Sequence, residues 1–255
     1  MEFLTAAQLK KEFNVEANFY RINVGNQMYL CRRHAVILRD GYTRESQPDA
    51  VIIMANPGSC SPSDKSYVAP VVQGTSKKVE YVSVEDDQTQ RQLMRLMKLM
   101  DWNVLSILNL SDLCAGNMTD FGKKLDEVEG YHYFEHSIFA NDRDEEREKF
   151  LKCGDSKLVL AWGGNSKIRK LAKHAIAKLP KERYFGLPGP KKWSFRHPFP
   201  MLQERCEAWL KDMSEHMKDT KNSKQATREI ISKNVNIPRR KKSHGYNAGT
   251  INIDI

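Results

Sequence analysis

The sequence predicts an α/β protein with three αβα layers, in which a central, mostly parallel sheet of about four strands lies between helices and an N-terminal hairpin lies at the periphery. Two observations predict this fold. Short apolar runs alternate along the chain with segments of helical periodicity, an order that joins parallel strands through crossover helices. The runs are also nearly continuous in apolar residues, as strands covered on both faces are.

The N-terminal segment is predicted to form a helix and a hairpin. Residues 5–13 have the amphipathic pattern of a helix, and residues 18–24 and 27–33 flank the pair Gly25-Asn26. Glycine and asparagine adopt the positive φ angles that a two-residue hairpin turn requires. We therefore expect a tight hairpin that stands beside the main sheet.

Strands and helices alternate in the predicted core. Four short apolar runs predict buried strands at residues 51–55, 103–108, 157–162 and 183–185. Helices are predicted at residues 86–100, 130–139, 142–152, 167–179 and 201–217. The long segment 56–85 contains several prolines and serines, and its length predicts a loop that binds a ligand or closes over one.

Charge separates the chain into a body and a tail. Residues 1–217 are predicted to form one domain, with a helix and hairpin over 1–45 and a core over 46–217, and residues 218–255 to form a disordered tail. The tail contains nine Lys or Arg against three acidic residues, and so carries +6 of the net charge of +9. A basic appendage is typical of proteins that bind a polyanion, and the expected partner is nucleic acid. A solvated tail without a partner is the alternative.

Composition argues against several classes of protein. No apolar segment approaches the roughly 20 residues that a membrane-spanning helix needs, and no signal-peptide pattern is present. The five cysteines are scattered and never form a Cys-x-x-Cys pair, which argues against a disulfide framework or a metal cluster. His132 and His136 are four residues apart, but no third ligand accompanies them, so a structural pair is favoured over a metal site. We expect a monomeric, cytoplasmic protein without membrane contact or cofactor.

Polar side chains follow successive predicted strands and indicate a catalytic site. Asn56 follows the first buried strand, Asn109 follows the second, and His197 lies in the segment after the fourth. Because ligands bind at the carboxyl ends of parallel strands, these three side chains are expected to converge. Each also has a structural interpretation: Asn56 as a turn former beside Pro57 and Gly58, Asn109 as the start of the next helix, and His197 as a partly buried ring.

A basic and aromatic segment is predicted to bind DNA. Cations that contact phosphates alternate there with aromatic rings that stack on bases. Its residues are Lys191, Lys192, Trp193, Arg196 and Phe199. Ser166 and Lys167 follow a glycine pair at the start of a predicted helix, whose positive end can hold a phosphate. The alternative is a surface loop that lies over aromatic residues of the core.

Four motifs occur in an order that resembles the uracil-DNA glycosylase superfamily. They are Met-Ala-Asn-Pro-Gly at residues 54–58, Leu-Ser-Ile-Leu-Asn at 105–109, Leu-Ala-Trp-Gly at 160–163 and His-Pro-Phe-Pro at 197–200. The Asn-Pro-Gly form is similar to the mismatch-specific and single-strand-selective branches, and to an uncharacterised domain family of bacteria and their phages. The chain departs from the family pattern at Met54, where glycine is usual, and at Phe199, where serine commonly follows the His-Pro pair.

The resemblance implies a role for each matching residue. Asn56 would orient the water that attacks the sugar carbon, Asn109 would read the polar edge of a flipped base, and His197 would stabilise the departing base. The loop over residues 193–199 would enter the minor groove and help to push the nucleotide out. The neighbours of Asn56 that would contact the substrate are Ala55, Pro57 and Gly58.

The predicted function is therefore that of a monofunctional DNA glycosylase, which hydrolyses the N-glycosidic bond of a damaged, mismatched or modified base. Uracil, mispaired thymine and a bulky modified cytosine of phage DNA are the candidate bases, and the last would imply antiviral defence. The resemblance also implies a bacterial or phage source, association with the nucleoid, and no metal or redox cofactor. A DNA-binding module that has lost catalysis is the alternative, and an enzyme acting on a small nucleoside is a third interpretation.

Overall fold

The computed structural model describes residues 3–72, 79–151, 154, 156–179 and 184–218, and the strands of this part of the chain belong to one sheet. The strands are β1 Phe13–Val24, β2 Gln27–Arg39, β3 Ala50–Met54, β4 Ser61–Pro62, β5 Val82–Glu85, β6 Val104–Asn109, β7 Lys157–Leu160 and β8 Tyr184–Phe185. Their order across the sheet is β4-β5-β1-β2-β6-β3-β7-β8. The predicted disorder of the basic tail concerns residues outside the described ranges, apart from Lys218.

Helices connect and flank the strands. The α-helices are α1 Ala6–Leu9, α2 Gln88–Met100, α3 Met118–Gly130, α4 Asp144–Leu151, α5 Arg169–Lys178 and α6 Gln203–Lys218. Short 3-10 turns, Asn141–Arg143 and Ser166–Ile168, precede α4 and α5. The protein is therefore of mixed α/β class, as the alternating pattern predicts.

The N-terminal hairpin is an integral part of the sheet, so the prediction of a peripheral hairpin is wrong. Gly25 and Asn26 have φ angles of 58° and 63°, as the predicted turn requires. The strands are nevertheless 12 and 13 residues long, and β2 pairs with β6 through residues 35–38. The prediction ended the second strand at Arg33, because local alternation does not reveal that the following residues pair with a distant apolar strand.

The relative directions of the strands also differ from the prediction. Strands β6, β3, β7 and β8 pair in parallel, as expected for strands joined by helices. The pairings β4-β5, β5-β1, β1-β2 and β2-β6 are antiparallel. The predicted small parallel sheet is thus one half of a larger sheet that is mostly antiparallel.

Alternate residues of β3 face two different hydrophobic cores. Ala50, Ile52 and Met54 belong to a core that includes buried residues of α2 and α6. Val51 and Ile53 belong to a core that includes buried residues of α3 and α5. Because both faces of β3 are covered, all of its residues are buried, which is why the strand reads as a continuous apolar run in the sequence.

Side-chain caps set the starts of two helices near the site. Asp87 caps α2, which was predicted to begin near residue 86, whereas α3 begins after the cap Asn117 in a segment that the prediction left without structure. The predicted helix over residues 130–139 is wrong, because α3 ends at Gly130 and an irregular segment follows. His132, with a φ of 59°, and His136 therefore do not share a helix face.

Candidate active site

A cavity of about 390 Å³ lies beyond the carboxyl ends of β3 and β7. Because these neighbouring strands are parallel, the segments that follow them leave the sheet at the same edge. The cavity is lined by residues 54–58, Asp87, Thr89, 115–118, 162–165, His197 and Met201. The sequence-predicted residues that it brings together are Ala55, Asn56, Pro57, Gly58 and His197.

Backbone contacts fix the orientation of Asn56. Its Nδ2 donates to the carbonyl of Ala115 at 2.8 Å, and the N–H of Leu110 donates to the carbonyl of Met54 at 2.8 Å at the end of β3. Because the amide nitrogen is engaged, Oδ1 is the Asn56 atom left without a partner among the described residues. Gly58 has a φ of 72°, where any residue with a side chain would be strained.

Phe195 anchors the His197 segment to the end of β7. The N–H of Gly163 donates to the carbonyl of Phe195 at 2.8 Å. The ring of Phe195 packs edge-to-face on Trp162, with 5.1 Å between the ring centroids. Trp162 in turn donates from Nε1 to the carbonyl of Trp193 at 3.0 Å. The position of His197, two residues later, is therefore fixed by the core.

His197 retains one ring nitrogen for a ligand. Its Nδ1 lies 3.2 Å from both the N–H and the carbonyl of Phe199. Burial lowers the pKa of His197, while the backbone of Phe199 and the charge of Asp87 act in the opposite direction. The ring is therefore neutral at neutral pH. Its Nε2 has no hydrogen-bond partner within the described part of the chain.

We expect Gly186→Ala to destabilise the protein through this anchor. A Cβ at Gly186 would lie 2.5 Å from Cδ1 of Phe195 and 3.0 Å from the carbonyl oxygen of Leu160. Such overpacking costs about 1–3 kcal/mol of unfolding free energy, measured by urea denaturation. Gly130→Ala is the control, because nothing lies within 4 Å of its added Cβ. Equal losses in the two variants would contradict the packing of Phe195.

Asn109 lies at the end of β6 but does not line the cavity. Its side chain is buried, and its Oδ1 accepts a hydrogen bond at 2.9 Å from Nη2 of Arg32, which is also buried. Nη1 of Arg32 lies 3.4 Å from the carbonyl of Pro57. Asn109 therefore contacts an arginine beneath the Asn-Pro-Gly segment, and the predicted contact with a base is not supported by its position.

The predicted DNA-binding segment is only partly exposed. Trp193 is buried, and Nζ of Lys191 lies over its ring at 5.3 Å from the centroid. The same Nζ donates to the carbonyl of Gly164 on the cavity wall, and Arg196 forms an ion pair with Asp212 at 2.6 Å. The ring of Trp193 is thus covered. This agrees with the alternative interpretation, in which the segment is a surface loop that lies over aromatic residues of the core.

The remaining predicted contacts differ in exposure. Lys192, Ser166 and Lys167 are exposed, and Phe199 is half-buried. Lys167 pairs with Asp126 at 2.9 Å. Lysine side chains therefore stand beside the cavity, on the segments that follow β7 and β8.

Sequence patterns do not identify Asp87 and Met201, which line the cavity, or the exposed Leu202 next to Met201. Met201 is 81% exposed and has a φ of 71°, and its neighbour Leu202 is 59% exposed. Asp87 also lines the cavity, although its side chain is the cap of α2. The available signal for Met201 and Leu202 was a pair of large apolar residues directly after Pro200, in a segment otherwise rich in charge.

Comparison of the chain with protein-family models, curated proteins and solved structures gives no match. The described residues include no group of three or more His, Cys, Asp or Glu side chains placed to hold a metal ion. None of the helices in that part of the chain combines the length and apolar character of a membrane span. The inference of function therefore rests on the cavity and its side chains.

Proposed function

We propose that the protein is a monofunctional DNA glycosylase, which hydrolyses the N-glycosidic bond of a damaged, mismatched or modified base. The observation that carries the proposal is that Asn56 and His197 line the same cavity, each with one polar atom free for a ligand. Hydrolysis of this bond needs a positioned water and stabilisation of a departing base. The two free atoms are suited to these two tasks.

Asn56 is suited to orient the attacking water. Its Nδ2 is bound to Ala115, so Oδ1 can accept a hydrogen bond from the water and direct its oxygen toward the sugar carbon. His197, as a neutral ring, is suited to stabilise the departing base. When Nδ1 accepts from the N–H of Phe199, Nε2 carries a proton and donates to the base as negative charge develops on it.

The rim of the cavity has features that a DNA-binding enzyme needs. A duplex hides the glycosidic bond in the base stack, so the nucleotide must be flipped out. Met201 lines the cavity and is exposed, and the exposed Leu202 follows it in the chain; apolar wedges of this kind enter between base steps. Lys191 and Lys192 lie on the same segment and are exposed to contact phosphates.

We expect Met201→Ala to slow base release from duplex DNA by about tenfold, because the lost wedge no longer assists unstacking. Release from a single-stranded substrate should remain unchanged, since no stack has to be opened. Single-turnover rates on both substrates measure the difference. Met28→Ala is the control, because Met28 is also exposed but lies beside the hairpin turn. An equal loss on both substrates would argue against a wedge.

The experiment that tests the function is an alkali-cleavage assay on a panel of oligonucleotides. The panel contains uracil, mispaired thymine and hypermodified cytosine, each in single- and double-stranded form. Release of a base leaves an abasic site, which alkali converts to a strand break. We expect cleavage of at least one member and none of the unmodified control. Absence of cleavage across the panel would remove the support for the glycosylase proposal.

A DNA-binding module without catalysis is the second candidate. The observation that favours it is the position of Asn109, whose Oδ1 contacts Arg32 and is not available to read a base. Met54, on the cavity wall where the glycosylase pattern has glycine, also reduces the space for a substrate. The same panel separates the candidates, because a pure binder retains salt-sensitive affinity for every oligonucleotide and releases no base.

A further inference from the structure

The cavity contains a carboxylate that the proposed roles of Asn56 and His197 do not use. Among the described residues that line it, Asp87 is the only acidic one. Its Oδ1 accepts a hydrogen bond at 2.8 Å from the N–H of Gln90, and this contact caps α2. Capping therefore accounts for one of the two carboxylate oxygens.

The second oxygen lies beside the Asn-Pro-Gly segment. Oδ2 of Asp87 is 3.3 Å from the point that a Cβ on Gly58 would occupy. Because position 58 is a glycine, the space in front of Oδ2 is open. Gly58 follows Asn56 by two residues in the chain. Oδ2 has no hydrogen-bond partner among the described residues.

Asp87 also acts electrostatically on the other side of the cavity. Its negative charge favours the protonated form of His197, which burial disfavours. The carboxylate is therefore within electrostatic reach of His197 and in van der Waals reach of the Gly58 position. These two relations place Asp87 near both the Asn-Pro-Gly segment and His197, which line the same cavity.

An asparagine can orient a water but cannot accept its proton at neutral pH. We propose that Asp87 is the general base of the glycosylase reaction, and this inference rests on the proposed function. The water oxygen forms a bond to the sugar carbon, and the glycosidic C–N bond breaks with its electron pair moving to the base. The water proton passes to Oδ2 of Asp87, and the departing base takes up a proton from solvent. Such a group contributes about 10²–10⁴-fold to a rate.

The neighbouring acid provides a matched control. Asp86 forms ion pairs with Lys10, at 3.1 Å, and with Arg91, and it does not line the cavity. The other ion pair next to the start of α2 that the described residues form joins Lys65 to Glu85 at 2.8 Å. Asp86→Asn and Asp87→Asn therefore remove the same charge at adjacent positions, and only the second variant changes the cavity.

The test compares the two variants on the oligonucleotide of the panel that the wild-type protein cleaves fastest. Asparagine caps a helix about as well as aspartate, so Asp87→Asn retains α2. We expect its single-turnover rate to fall by about 10²–10⁴-fold and to lose its increase with pH on the acid side. Its melting temperature should stay close to that of the wild type, and its oligonucleotide affinity should match that of Asp86→Asn, whose pH profile stays as in the wild type.

The outcomes separate the failure of this role from the failure of the function. If the wild-type protein is active and Asp87→Asn has an equal rate, the role of Asp87 is overturned and the glycosylase proposal stands. The same conclusion follows if the rate of Asp87→Asn still increases with pH on the acid side. An inactive wild-type protein overturns both. NMR titration of His197 tests, without turnover, whether Asp87 lies near His197. The pKa of His197 should fall in Asp87→Asn and stay constant in Asp86→Asn. An unchanged pKa in both variants would overturn this position of Asp87.

Discussion

Asn56→Ala is expected to reduce base release by about 10²–10³-fold, because a preorganised polar group acting on the reacting atoms is removed. The loss should appear in the rate of the chemical step. The Asn56 side chain contacts the protein through one bond to Ala115, so the fold and the affinity for oligonucleotide should change little. Single-turnover kinetics and a binding titration measure the two quantities separately.

Asn103→Ala is the control for this substitution. Asn103 precedes β6, at the end of the sheet opposite to the cavity, and its Oδ1 accepts a bond from Arg39 at 3.1 Å. It should retain the wild-type rate. Undiminished formation of abasic sites by Asn56→Ala would exclude the proposed role of its carboxamide in positioning water.

The second large effect concerns stability, at the buried ion pair behind the site. Nη1 of Arg143 donates to Oδ2 of Asp112 at 2.7 Å, and both side chains are almost fully buried. The same oxygen accepts a hydrogen bond from the hydroxyl of Tyr20 at 2.7 Å. Arg143→Met should lower the unfolding free energy by about 3–5 kcal/mol, because it leaves Asp112 charged and unpaired in the core. Urea denaturation measures the loss.

The pH dependence identifies the cause of this loss. Burial raises the pKa of Asp112 to about 6, against the opposing charge of Arg143. Without Arg143 the folded-state pKa rises further, so the folded variant takes up a proton that the unfolded chain releases. Its stability should therefore recover relative to the wild type as the pH falls from about 8 to about 6. A cost that is independent of pH would indicate lost packing instead.

Arg147→Met is the control for the ion pair. Arg147 bonds to Asp144 at 2.6 Å, but the Asp144 side chain is 50% exposed. An ion pair with such an exposed partner contributes about 1 kcal/mol or less, because water solvates the carboxylate when the arginine is removed. The loss of unfolding free energy should therefore be larger for Arg143→Met than for Arg147→Met, because the partner of Arg143 is buried and that of Arg147 is half exposed.

Local patterns were sufficient to predict the strand that leads to Asn56, the start of one helix and the hairpin turn. The run of apolar residues in β3, the cap at Asp87 and the Gly25-Asn26 turn are each encoded within a few neighbouring residues. The order of parallel strands then predicted that the segments carrying Asn56 and His197 meet at one edge of the sheet. Both residues line the cavity.

The elements that were predicted wrongly depend on distant partners. The pairing of β2 with β6 decides that the hairpin enters the sheet, and no local pattern contains this information. The contact between Arg32 and Asn109 joins residues 77 positions apart and engages the carboxamide oxygen of Asn109, which does not line the cavity. Trp193 resembles a surface aromatic among lysines, but its side chain is buried and its carbonyl accepts a hydrogen bond from Trp162.

The most direct measurement is mass spectrometry of the reaction products formed in heavy-oxygen water. The glycosylase proposal predicts that the best substrate of the panel loses a free base, and that the abasic strand gains one heavy oxygen from the water oriented by Asn56. With Asn56→Ala the free base should appear about 10²–10³-fold more slowly. An abasic strand without heavy oxygen, or a covalent protein–DNA adduct trapped by borohydride, would contradict direct attack by water.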